Sequence, residues 1–111
     1  MDYHNRVISS PTLKMTTGES IYELTALVAW SMDPDNPHTT YHAVAMQLPT
    51  CMDSTSSNYL ISACFGACVR ELGRHDMVID AKLACHVPEG VLKENGFIPR
   101  NDGAFIYSVD E

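Results

Sequence analysis

Residues 41–83 constrain this chain more than any other stretch: they read as a strand, a loop of small hydroxyl residues, an apolar helix and a second strand. The helix is expected over 57–72, where Ile61, Phe65, Cys68 and Leu72 recur at helical spacing and no charge appears before Arg70. A helix that apolar has to be wrapped by other elements, so the rest of the chain is expected to be built around it. Gly73 is a natural stop. The strand at 41–48 places His42, Val44, Met46 and Leu48 on one face and Tyr41, Ala43, Ala45 and Gln47 on the other. Both sets are largely apolar, which predicts a central strand covered on both sides. Residues 77–83 alternate as well, with Met77, Ile79, Ala81 and Leu83 opposite Val78, Asp80 and Lys82.

Upstream, Val7 and Ile8 suggest a strand over 6–9 that Ser10 and Pro11 interrupt and that 13–15 resume, an edge position because Pro cannot donate to a ladder. Thr16 and Glu19 form a capping-box pair, and Ile21, Leu24, Leu27 and Val28 follow at helical spacing. A helix is therefore expected over 18–32, stopped by Asp33-Pro34. Downstream, 88–94 reads as a short helix, and 97–99 and 104–109 as strands joined by Arg100-Asn101-Asp102-Gly103. The order is strand, helix, strand, helix, strand, short helix, hairpin. It predicts a single small domain over 1–111, with 1–16 an extended N-terminal segment. The class is mixed α+β or α/β: a mixed β-sheet, two main helices, a short third helix and a C-terminal β-hairpin.

No run approaches the roughly 18 apolar residues of a membrane helix, and the first twenty residues lack the apolar core of a signal peptide. The four cysteines lie in apolar or strand-like surroundings, which suits free thiols in a cytoplasmic setting. The net charge is -7, and no Lys or Arg occurs between Lys14 and Arg70. That half disfavours direct nucleic-acid binding, which needs clustered cations, and suits attraction to a basic surface on another protein. The residues thus point to a small acidic protein-binding module, a non-catalytic inhibitor or adaptor without a cofactor. Glu23, Asp33, Asp35 and Tyr41 are its candidate binding surface. A homodimer through the N-terminal edge is a further option.

Three sets of residues offer other chemistry. Cys64 and Cys68 share a helix face and, with Cys85 and His86, make a candidate zinc set, although there is no Cys-x-x-Cys and the helical pair falls on the core face. Cys85 or Cys51 beside His42, His75 or His86 would make a thiol nucleophile. The loop 33–38 brackets a cation with Asp33, Asp35 and Asn36 but lacks the Gly and distal Glu of a calcium loop.

The run Lys93-Glu94-Asn95-Gly96-Phe97-Ile98-Pro99, followed by a hairpin into Phe105-Ile106-Tyr107, resembles the last part of the GNAT superfamily of N-acyltransferases. The element order over 41–109 is similar to that family's C-terminal half. The resemblance implies an acyl-CoA-dependent N-acyltransferase, with acetyl-CoA held by the first strand and the loop after it. That places Gln47, Ser54, Ser56 and Ser57 as cofactor-binding candidates. The family's Arg/Gln-x-x-Gly-x-Gly/Ala loop is absent from 50–57, its general-acid Tyr position is Leu92, and its Asn position is Cys85. No catalytic residue carries over.

Overall fold

A computed structural model describes residues 4–32, 40–49 and 54–109. The first half is one long, bent hairpin. Strand β1 (His4–Ser9) pairs antiparallel with β4 (Leu27–Met32), and β2 (Leu13–Thr17) with β3 (Ser20–Leu24). The tip is the two-residue loop Gly18-Glu19. Gly18 has φ +60° and no non-glycine residue among those described has a positive φ, the pattern of a type II′ turn.

The bend lies where Ser10, Pro11 and Thr12 face Thr25 and Ala26. Pro11 has no N–H to continue the ladder, and Ser10 repairs the break. Its backbone N–H donates to the Ala26 carbonyl (2.8 Å), and its hydroxyl accepts from the buried Ala26 N–H (3.0 Å) while donating to the Pro11 carbonyl (2.9 Å).

The helix expected over 18–32 is therefore corrected: those residues form β3 and β4. Ala26, Val28, Trp30 and Met32 are all buried at a period of two, the strand signal that outweighs the helical spacing of Ile21, Leu24 and Leu27. Thr16 lies in β2 and Glu19 in the hairpin turn, so the pair caps no helix. The interrupted edge strand at 6–9 and 13–15 is present as β1 and β2.

The main sheet has the order β1-β4-β5-β6-β8-β7, where β5 is Thr40–Gln47, β6 Asp76–Ile79, β7 Ile98–Pro99 and β8 Phe105–Tyr107. Its neighbours are antiparallel except β5 and β6, which run parallel because the long helix α1 (Ser54–Leu72) carries the chain from one to the other. The architecture is thus the expected mixed sheet with helices and a terminal hairpin.

The strand expected over 77–83 stops at Ile79. Asp80 then caps a short α2 (Ala81–Ala84), its carboxylate accepting the Leu83 N–H at 3.1 Å. Helix α3 (Glu89–Glu94) closes in a Schellman motif: the Phe97 N–H donates to the Leu92 carbonyl (3.0 Å) and the Gly96 N–H to that of Lys93 (3.1 Å), with Gly96 at φ +92°. Phe97 is thereby turned into the core, edge-on to Phe65. In the last turn, Arg100 grips Asp102 at 2.7 Å and holds its carboxyl down at about 2, so the link outlasts ordinary carboxylates as pH falls.

One core lies between α1, α3 and one face of the sheet. Leu60, Cys64, Phe65, Cys68 and Leu72 of α1 meet Val28, Trp30, Met77 and Ile79, all fully buried. The opposite face is open among the described residues, with Val7, His42, Val44 and Ile98 exposed. The expectation that the strand at 41–48 is covered on both sides is corrected to one.

Replacing Ser10 with Ala leaves the Ala26 N–H buried without its side-chain acceptor. A loss of about 1–3 kcal/mol in urea unfolding is expected, with native secondary structure retained by circular dichroism.

Candidate functional site

The parallel pair is short. Thr40, Tyr41 and His42 pair with Asp76, Met77 and Val78, after which the two strands part. Strand β5 runs on to Gln47, while the chain after Ile79 turns at Asp80 into α2. From Ala43 to Gln47 the edge of β5 facing away from β4 has no strand partner among the described residues. The other edge carries a bulge: Ala29 pairs with Ala45 and Trp30 with Ala43, leaving Val44 as the extra residue. The bulge shifts the alternation by one. Tyr41 and Ala43 face the helices before it, and Met46 does so after it, opposite the buried Val28. The expected shared face of His42, Val44, Met46 and Leu48 is split at this point.

A cleft of about 550 Å³ opens where the strands part. Met46, Leu48 and Pro49 form one wall, Ser57, Asn58 and Ile61 of α1 a second, and Leu83, His86 and Pro88 the third. It lies beyond the carboxyl ends of two parallel strands, the usual place for a ligand in sheets of this kind. The first turn of α1 begins beside it. Among the described residues the lining is mostly apolar with three polar groups, and no Lys or Arg contributes.

The sequence candidates fall in different places. Ser57 lines the cleft; Gln47 ends β5 and is exposed; Ser54 opens α1; Ser56 is half-buried in its first turn. Of the candidate acidic surface, Glu23 is exposed on β3, 3.9 Å from Lys14. Tyr41 is 5% exposed and packs edge-on against His75 inside the molecule, so the two do not share a surface. Asp33 and Asp35 lie outside the described residues, as do Cys51, Asp53 and the whole 33–38 loop.

The zinc candidates are not brought together. Cys64 and Cys68 are wholly buried: the Trp30 indole N–H donates to the Cys68 sulfur (3.2 Å), and the Cys64 thiol lies 3.5 Å from the Ile8 carbonyl. Its hydrogen bond with Cys64, then burial, push the Cys68 thiol well above its ordinary range, so it stays protonated. Cys85 is exposed with its thiol on the Lys82 carbonyl, and His86 lines the cleft. Among the described residues no three His, Cys, Asp or Glu side chains gather as metal ligands, and no helix is long and apolar enough to cross a membrane.

Sequence reasoning missed the bulge, and with it Met46 as a cleft residue. It also missed Leu83, because the alternation of 77–83 favours a strand there, and it set His86 in a zinc group instead of beside the cleft.

Removing the α2 cap tests how firmly the third wall is held. Asp80→Ala is expected to cost about 1 kcal/mol, measured by urea unfolding, and to speed hydrogen exchange of the Leu83 amide ahead of those in α1. Scans against protein-family models, curated proteins and solved structures match nothing to this chain.

Proposed function

We propose that the protein holds the extended arm of an acyl-CoA thioester in the cleft between β5 and α2 and passes its acyl group to an amine. The observation that carries this reading is the parting of β5 from β6. It leaves a run of strand edge from Ala43 to Gln47 free to pair with an added chain. The pantetheine arm bears amides along an otherwise apolar chain. Its amides match a strand edge, and its methylenes match Met46, Leu48, Ile61 and Leu83. A volume of about 550 Å³ suits a small-molecule site. The resemblance of 41–109 to the N-acyltransferase superfamily points the same way. A cytoplasmic setting, where thiols stay reduced and acyl-CoA is made, fits the reading.

Of the expected acidic docking surface for a basic partner, Glu23 and Tyr41 lie apart, and Asp33 and Asp35 fall outside the described residues. Among the described residues His86 is the only titratable side chain lining the cleft. In the proposed reaction the amine nitrogen attacks the thioester carbonyl, His86 takes the proton from the amine, the C–S bond breaks with the CoA sulfur leaving as thiolate, and His86 passes the proton on to that sulfur.

Thermal unfolding with and without acetyl-CoA tests this. A ligand at a hundred times its Kd adds about 2.7 kcal/mol of stability, so a clear rise in Tm is expected. An unchanged Tm at millimolar acetyl-CoA removes the reading. Met46→Trp, which fills the cleft, is expected to abolish the shift. His86→Gln is expected to keep the shift and to slow release of free CoA thiol by about 10²–10⁴-fold.

A further inference from the structure

A second opening adjoins the cleft. Helices α1 and α3 leave a groove of about 570 Å³ between them, with Asn58, Tyr59 and Ser62 on one side and Pro88, Gly90 and Glu94 on the other. Asn58 and Pro88 line both openings, so groove and cleft share a border. The far end is organised by a chain of hydrogen bonds. The Asn95 side-chain amide donates to the Val91 carbonyl (2.8 Å) and to the Ser62 hydroxyl (3.3 Å), and that hydroxyl donates to the Glu94 carboxylate (2.6 Å).

The carboxylate is thus oriented, yet no cation of the chain answers it. Among the described residues no Lys or Arg lines the groove or pairs with Glu94, and the adjacent Lys93 turns to Glu89 instead, at 3.4 Å. The Tyr59 ring lines the same groove and is 64% exposed. A carboxylate together with an aromatic ring suits an ammonium group, which the one attracts by charge and the other by its negative face.

We infer that the groove holds a cationic ammonium group and, resting on the acyl-transfer reading of the cleft, that the acceptor is a short linear diamine. The amine that attacks in the cleft is neutral, because a protonated nitrogen has no lone pair to give. The charge that Glu94 recognises therefore belongs to a second nitrogen. Asn58 at the shared border and Ser62 beside the carboxylate stand four residues apart on α1, about 6 Å along its axis. A short run of methylenes covers that span, past Pro88 and Val91. The bond changes remain those of the cleft reaction, and Glu94 accepts no proton in them.

Titration of diaminobutane into the protein without acetyl-CoA, followed by amide NMR shifts, tests the groove by itself. Shifts are expected at Ser62, Glu94 and Asn95. Glu94→Gln keeps an oxygen for Ser62 and removes the charge, and it is expected to weaken binding roughly tenfold or more. Gly90→Lys places an ammonium one turn before Glu94, at a position where an added side chain meets open space, and is expected to block diamine binding. With acetyl-CoA present, a higher kcat/KM for diaminobutane than for butylamine is expected, a preference that Glu94→Gln removes through KM. Equal kcat/KM for the two amines overturns the acceptor assignment. Absent diamine binding, or binding that survives both substitutions, overturns the ammonium site even where acetyl-CoA raises Tm. Diamine binding with no effect of acetyl-CoA on Tm overturns the acceptor assignment through the acyl-transfer reading alone.

Discussion

Everything in this molecule depends on the burial of one helix face against one sheet face. Helix α1 presents Leu60, Cys64, Phe65, Cys68 and Leu72 to Trp30, Val28 and Met77, and none of these is more than 1% exposed. Burying side chains of this size stabilises by roughly 1.5–3 kcal/mol each. No ion pair among the described residues competes with that. Arg6–Glu71, Lys14–Glu23, Lys93–Glu89 and Arg100–Asp102 all join exposed groups, where such pairs add little. The same helix is also the crossover that forces β5 and β6 to run parallel. Packing and topology therefore have one cause.

The cleft follows from that topology and from a mismatch in length. Strand β5 has eight residues and β6 four, so a parallel pair that begins in register at Thr40 and Asp76 runs out of partner halfway along β5. Antiparallel neighbours would close such a gap with a short hairpin turn. A strand fed by a crossover helix cannot, because its chain leaves at the far end, here through Asp80 into α2. The bulge at Val44 then decides which side chains line the opening. Without it, Ala45 and Gln47 would face the helices; with it, Met46 does. A greasy wall thus stands in place of an amide and a methyl, which makes that side of the cleft apolar.

The second half of the chain was legible because local and tertiary signals agree there. The apolar stripe of α1, the stop at Gly73, the short α3 and the terminal hairpin all stand within a few residues of where the sequence puts them. The first half was not. In 18–32, Ile21, Leu24, Leu27 and Val28 satisfy a helix, while Ala26, Val28, Trp30 and Met32 satisfy a strand. Val and Trp favour strands, and Gly18 after Thr17 is hairpin chemistry. Long-range pairing of Leu27 through Met32 with both β1 and β5 settles the competition. That pairing has no trace in a local window. At the site, Ser57 was within reach of sequence reasoning because the apolar pattern of the helix starts there, in the first turn of α1. The phase shift at Val44 leaves no sequence mark at all.

The Gly-Phe pair shows how a family-like phrase can arise from local physics. Gly96 stands there because the Schellman close of α3 needs a left-handed residue, and a Cβ at Gly96 would lie 3.1 Å from the Tyr107 ring. Phe97 stands there because the residue after that turn points into the core, against Phe65 and Tyr107. Any short helix returning into a hairpin over an aromatic core meets the same demands. The pair therefore weighs less for function than the register of β5 and β6 does. A helix end can be closed this way in any fold, whereas a parallel pair that parts beside a helix N-terminus leaves an unpaired edge and a lined opening together.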